Sequence, residues 1–413
     1  VQVLMLAGDT LVTISLAGSL FFSISPTEAK SKVLLYLVLT IAPFAVVSPM
    51  LGPLIDRSQG ARRIMVAIAA LGRAALCPLM ARDIHSLMLF PEAFGVLVLS
   101  KLYLVTRGAL VPELAALEPS DGWAPIEEDQ SETPSHGFAG WNAQLTLLGT
   151  FAGFAASIPG VALLKGIGAP AVLWFDVLVF LGAGVAAFRL PSLRGRSSQG
   201  SADEEAWGEV ERELVALSPV AHPEVIFALS ANAILRGVTG FLMFMLAFDL
   251  RRMGASLFWF ALILVGSGVG ALLGLAGVTR LARRMTEQLL LVLSLIMVSL
   301  GAVAAAYWGS LAGEVFLAAV IGAAGAIAQP SFDALIQAYV PQAGQGRAFA
   351  KFATRQQLIW VIGALIPVAF TIPIVPGDIA IAVISFSGML AYVIGRVSMR
   401  GQALPTLFDP GLE

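Results

Sequence analysis

Apolar residues in this chain gather in blocks of about twenty, separated by short breaks of charge, Pro and Gly. A hydrocarbon core about 30 Å thick takes roughly 20 apolar residues as one helix. Counting runs on that ruler predicts twelve spans, near 1–25, 33–55, 62–81, 87–115, 138–164, 169–190, 223–249, 256–279, 287–308, 311–340, 352–372 and 377–399. Helices satisfy their own backbone in lipid and open strands do not, so strands are not competitive here.

The two halves look related. "GDTLVTISLAGSLFFSI" from Gly8 lies over "ANAILRGVTGFLMFMLAF" from Ala231, pairing Asp9 with Asn232. "LGPLIDRSQGARR" from Leu51 falls on "LGLAGVTRLARR" from Leu273, and "GALVPEL" from Gly108 on "DALIQAYVP" from Asp333. The offset stays at 222 to 225 through all three matches. A constant offset is the mark of a duplication, the repeat logic of many transporters. The fold class is therefore an all-α polytopic membrane protein, its twelve helices in two pseudo-symmetric six-helix bundles. The expected division is a first bundle over 1–191, a cytoplasmic linker over 192–222, a second bundle over 223–400 and a tail over 401–413.

Composition agrees: 58% of the 413 residues are hydrophobic and 13% charged, and mean hydropathy is +0.85. Soluble domains carry about 25% charged residues. The one cysteine, Cys77, lies inside an apolar run, and no Cys/His spacing suggests a metal site. A net charge of −2 points to no nucleic-acid partner. The chain opens at Val1 and is apolar by Val3, which reads as a first span without its leader and not as a cleaved signal peptide. With the turn at 51–63 placed inside, the outer side carries six Lys and Arg (Lys30, Lys32, Arg82, Lys165, Arg251, Arg252). Four more (Arg73, Lys101, Arg107, Arg236) lie within spans, which leaves 15 of the 25 on the inner side. A multi-pass plasma (inner) membrane protein with both termini cytoplasmic is expected.

Two loops stand out. Residues 117–137 hold six acids and no Lys or Arg, either a solvated linker or a docking element. In 192–222, Ser201 to Glu204 form a capping-box pattern, and Trp207, Val210, Leu214 and Leu217 recur at helical spacing. A short helix on the cytoplasmic face is expected there.

Twelve spans, a duplication and the turn "LGPLIDRSQGARR" resemble the major facilitator superfamily. Its signature between the second and third spans reads Gly-x-Leu-x-Asp-Arg-x-Gly-Arg-Lys/Arg. Gly52, Leu54, Asp56 and Arg57 fall in place, while Gly60, Arg62 and Arg63 arrive late because of an inserted residue and Ala61. The resemblance implies that Gly52, Asp56, Arg57, Arg62 and Arg63 form a conformational latch on the cytoplasmic side. A plain positive-inside anchor is the alternative. Asp9 and "RGALVPEL" look like the branch that includes macrolide and siderophore efflux proteins.

Charges at membrane depth are costly and mark candidate sites. Asp9 in the first span and Arg107 in the fourth count to similar depth, and an Asp9–Arg107 pair is expected as a coupling site or a static ion pair. In the second half, Arg236 lies in the seventh span and Asp333 in the tenth. Gln329 and Gln337 flank Asp333 at i−4 and i+4 and share its face, as a substrate stripe or an interhelical hydrogen-bond seam. Arg73 and Lys101 read as weaker, able to snorkel or meet a carbonyl. Glu92, Glu113, Asp249 and Glu314 sit near span ends and are expected to face water, and Asp176 carries no assigned role. Gly266, Gly270 and Gly274, and Gly149 with Gly153, have the spacing of close helix packing. Phe21, Phe22, Phe241, Met243, Phe244 and Met245 line an apolar cavity or face lipid.

Together these point to a secondary active transporter working by alternating access, a proton-coupled exporter (antiporter) of a hydrophobic or amphipathic small molecule. The alternative is a lipid or lysolipid translocator, or a membrane scaffold that recruits a partner through its acidic loop. No nucleophile–base pair, phosphate loop or ATP motif points to an enzyme or a primary pump. The expected partners are a small-molecule or lipid substrate, protons and the bilayer; no cofactor is expected, and the chain is expected to be a monomer.

Overall fold

A computed structural model describes residues 1–20, 62–84, 86, 88–115, 138–189, 223–341 and 344–402. The expected span at 33–55, the acidic loop and the linker over 192–222 lie outside the described residues. So do Phe21 and Phe22.

The described residues form eleven helices: α1 (Gln2–Leu20), α2 (Arg62–Arg82), α3 (Leu89–Ala115), α4 (Phe138–Gly166), α5 (Ala169–Phe188) and α6 (Pro223–Arg252), then α7 (Leu257–Leu281), α8 (Glu287–Trp308), α9 (Leu311–Tyr339), α10 (Gln345–Ala369) and α11 (Ile374–Gln402). Ten of them, α2 to α11, are long and apolar enough to cross a membrane, and α1 carries a shorter apolar stretch, Gln2–Leu16. Their ends follow local rules. Thr286 caps α8 by accepting from the Leu289 N–H, and Gly309 ends it with φ of 54°, the left-handed turn that suits glycine. Gly168, at φ 119°, turns the chain into α5, where Pro170 takes an early position whose N–H has no helical partner.

These helices fall into two compact units. The first holds α1, α2, α3, α5, α4 beyond Ala143 and the start of α10 up to Thr354. In it α2 packs on α3 and α5, and α1 packs on α5. Helix α4 meets α1 through glycines: a Cβ on Gly149 would come within 2.5 Å of Leu6 Cδ2, and one on Gly153 within 2.8 Å of Thr10 Oγ1.

The second unit holds α6 to α9, α10 from Arg355 and α11, together with the first residues of α4. Its tightest seam joins α7 to α9. A Cβ on Gly270 would stand 1.9 Å from the Ala319 carbonyl oxygen, and one on Gly274 would stand 2.4 Å from that of Ala323. The small-residue stripe read in the sequence thus lets two backbones touch. Phe241, Phe244 and Met245 are buried here, Phe244 edge-on to Trp360 with ring centroids 6.0 Å apart, while Met243 is exposed. Three of the four are therefore packing residues.

Candidate functional site

In the first unit a polar cluster forms where three helices pass at mid-length. Asp9 comes from α1, Arg73 from the middle of the 21-residue α2, and Ser100 from α3. Arg73 Nη1 lies 2.6 Å from Asp9 Oδ1, and Ser100 Oγ donates to Asp9 Oδ2 at 3.3 Å. The Arg73 side chain is fully buried, whereas 36% of the Asp9 side chain remains accessible. Behind the pair, Arg73 Nε donates to the Ala69 carbonyl, and its guanidinium carbon stands 4.9 Å from the centre of the Phe180 ring. A cation over an aromatic face is attracted by the ring quadrupole, more strongly when desolvated. The cation is thus fixed from three sides, and the carboxylate is its open face.

A second acid stands close by. Asp176, fully buried on α5, accepts from Cys77 Sγ at 3.6 Å, while its Oδ1 is buried without a hydrogen-bond partner. Cys77 lies one turn past Arg73 on α2, and Asp176 lies one turn before Phe180 on α5, so two i,i+4 pairs face each other. Gly8 makes the approach possible: a Cβ there would fall 2.5 Å from the Phe180 ring and 2.9 Å from Asp176 Oδ1.

The expected partner of Asp9 was Arg107, and the structure gives Arg73 instead. Asp9 meets α3 at Ser100, and Arg107 lies two helical turns further on, about 10 Å along the axis at 1.5 Å per residue. Counting depth from estimated span centres missed this offset, and it could not weigh α2, whose register against α1 is tertiary information. Arg107 lies instead near Tyr103, whose hydroxyl donates to Gln2 Oε1, and its own Nε is buried without a hydrogen-bond partner.

In the second unit the matching position carries no charge. Asn232 Nδ2 and Arg236 Nη2, both from α6, donate to Gln329 Oε1 on α9 at 3.0 and 2.9 Å. Gln329 Nε2 then donates to Asp333 Oδ1 at 2.8 Å, one turn along α9. Arg236 and Asp333 are thus bridged by an amide, and Arg236 stays accessible while Asn232 is 1% exposed. Gln337, one turn further, accepts from Asn142 Nδ2 at 2.8 Å. The stripe of Gln329, Asp333 and Gln337 does share one run of partners, as the i, i+4 spacing implied.

Of the signature turn, Gly52, Asp56 and Arg57 lie outside the described residues. Arg62 is 1% exposed and donates through Nη1 to the Ala109 carbonyl of α3 at 2.8 Å, and Arg63 is half-buried. Arg62 is thus a buried tie between α2 and α3.

Arg73, expected as a weaker candidate able to meet a carbonyl, does so at Ala69 but also holds Asp9, while Ser100 and Asp176 carry no expected role. Their signal was available only in part: a lone Arg and a lone Asp, each inside an otherwise apolar span.

The model of the family described as Major Facilitator Superfamily matches residues 1–364. A protein of Mycobacterium leprae is 28% identical over 429 aligned positions, spanning 96% of this chain and 70% of its own length. One of Mycobacterium tuberculosis is 38% identical over 115 positions, 26% of this chain and 21% of its own. Among solved structures, the fold is similar to the transporter FucP in its outward conformation (TM-score 0.69, 14% identity, 95% of this chain and 96% of that one). It is also similar to a bacterial homologue of the iron transporter ferroportin in an outward-facing state (TM-score 0.63, 14% identity, 97% of each chain). The match over most of the length, with membrane-length helices and these neighbours in fold, makes this chain a multi-pass membrane protein of the Major Facilitator Superfamily, with the fold of a secondary transporter.

Proposed function

We propose that this protein is a proton-coupled exporter of a hydrophobic or amphipathic small molecule, working by alternating access between two six-helix bundles. The first bundle is 1–191 and the second 223–400, joined by the linker 192–222. The reading places it in the efflux branch of its family, in the plasma membrane, as a monomer with both termini cytoplasmic. The observation that carries the coupling is the asymmetry of the Asp9–Arg73 pair, a buried cation whose carboxylate partner is accessible. A proton arriving at Asp9 neutralises it and frees Arg73, which still has Phe180 and the Ala69 carbonyl to hold it. The charge of the cluster then changes by one, and a change of charge at membrane depth shifts the balance between two conformations. Arg107, Arg236, Gln329, Asp333 and Gln337 are assigned to substrate contact or ion coupling. Gly52, Asp56, Arg57, Arg62 and Arg63 are assigned to the cytoplasmic latch.

The test is efflux of amphipathic dyes and drugs from proteoliposomes under an imposed pH gradient. Asn at position 9 keeps one acceptor oxygen, for Arg73, turns a donor NH2 toward Ser100, and cannot take up the proton. Asp9→Asn is expected to abolish stimulation by the gradient while leaving exchange of substrate for substrate. Transport that ignores the gradient in the unsubstituted protein, or an Asp9→Asn variant that still follows it, defeats the reading.

A further inference from the structure

A second group of acids gathers in the second unit, away from the amide network and from Asp9. Glu314 lies in the first turn of α9, Asp378 early in α11, and Asp249 in the last turn of α6. Glu314 and Asp249 were expected to face water. Glu314 and Asp378 are instead fully buried, and Asp249 is 6% exposed. Span ends are not equivalent to water when a neighbouring helix covers them, and α9 packs on α6, α7 and α8, as α11 packs on α6 and α8.

Two observations, taken separately, point to a ligand. The Glu314 and Asp378 carboxyl groups are buried neighbours, each part of the other's electrostatic surroundings. An ionised carboxylate only accepts, so two such neighbours share a hydrogen bond only when one of them carries a proton. Independently, all four of their oxygens are buried and no donor in the protein serves any of them. From α6 the pair is faced by Asp249, a third acid, whose Oδ1 already accepts from Arg252 of the same helix. Among the described residues, no side chain of α7 or α8 donates a hydrogen bond to either carboxyl group. Two adjacent buried anions with no counter-ion are not a stable arrangement; like-charged carboxylates at one site cannot both ionise.

We propose that Glu314 and Asp378 form a proton-binding site in the second unit, one carboxyl holding a proton and donating it to the other. A single shared proton is enough to remove the repulsion between the two carboxyl groups, and the ligand is assigned as that proton. Among the described residues no three His, Cys, Asp or Glu are arranged to hold a metal ion. Its consequence is mechanical. With the proton in place the start of α9 is tied to the start of α11; without it two like charges push these helix ends apart.

The experiment is an infrared titration of the protein in lipid vesicles, reading the C=O stretch of protonated carboxyl groups. At neutral pH the unsubstituted protein is expected to show this band, and Glu314→Gln and Asp378→Asn are each expected to lose a component of it. Asp9→Asn must keep that component, which separates this site from the coupling reading above. A neutral-pH spectrum without the band, or one unchanged in both variants, overturns the site. Discharge of the band by Na⁺, Ca²⁺ or Mn²⁺ at constant pH also overturns it, in favour of a cation site. Should a variant fail to fold, exchange in heavy water decides on the unsubstituted protein. A slowly exchanging band is expected for a buried proton, and its absence overturns the proposal.

Discussion

The two units place polar residues at matching positions of the repeat and use them in opposite ways. Asp9 in the first unit corresponds to Asn232 in the second. Around Asp9 the structure gathers charge: a buried guanidinium, a hydroxyl and, behind them, a second acid. Around Asn232 it gathers amides, and the one cation, Arg236, stays accessible. A carboxylate can gain a proton and an amide cannot. The matching position is thus a titratable carboxyl in the first cluster and an amide in the second, whose own carboxylate, Asp333, lies one turn beyond Gln329 on α9. The two aligned positions share a polar residue and differ in its chemistry.

The sharpest way to break this contrast is to remove one charge at a time from the first unit. Taking away one partner of a buried pair costs about 3–5 kcal/mol, because the other is left uncompensated. The two members are not equivalent. Asp9→Leu leaves Arg73 fully buried and unpaired, so the full penalty is expected. Arg73→Met leaves an acid that is already 36% accessible and fills the vacated volume, so a clearly smaller loss is expected. Thermal unfolding of the purified variants in detergent checks the order. Equal losses would mean that the asymmetry of burial does not govern the pair.

Much of this fold was legible in the sequence, because membrane helices announce themselves by length and apolarity alone. Described helices such as α8 (Glu287–Trp308) match the expected span at 287–308 to the residue. The i, i+4 stripe of Gln329, Asp333 and Gln337 was also readable, since it belongs to one helix. What failed was every inference that needed the register of one helix against another. Asp9 was paired with Arg107 because depth was counted from span centres, and the neighbour that mattered, Arg73, lay on α2. Asp176 had no role because its partner Cys77 sits 99 positions away. Glu314 is buried, not facing water, because the helices packed on α9 are invisible along its own sequence.

A second contrast lies in how the units seat their helices. The α7–α9 seam of the second unit is backbone on backbone, with Gly270 against a carbonyl that cannot turn away. Gly8 of the first unit meets the edge of the Phe180 ring, a side chain that can rotate at the expense of its contact with Arg73. Overpacking costs about 1–3 kcal/mol and sometimes more. Gly270→Ala is expected at the upper end of that range, and Gly8→Ala below it. Gly268, one step away on α7 with nothing within 4 Å of its Cβ position, supplies the control: Gly268→Ala should stay within about 0.5 kcal/mol of the parent. A Gly270→Ala variant as stable as Gly268→Ala would rule out the close backbone approach.

The amide network should yield the smallest effect, and its pattern is the informative part. Gln329→Leu removes the acceptor shared by Asn232 and Arg236. Arg236 is accessible and can be rehydrated, so its loss contributes little. Asn232, 1% exposed, is left with a buried amide lacking that acceptor, which costs about 1–3 kcal/mol. Replacing both partners removes the unsatisfied Asn232 amide, while Asp333 loses its Gln329 donor in the single and the double variant alike, so Asn232→Leu combined with Gln329→Leu should be less damaging than the sum of the two single changes. A double-mutant cycle on thermal stability measures the coupling, about 0.5–3 kcal/mol for groups in one network. Simple additivity would mean that the two amides do not act as a unit. The second unit would then hold Arg236 by some means other than the scaffold that sets it apart from the charged cluster of the first.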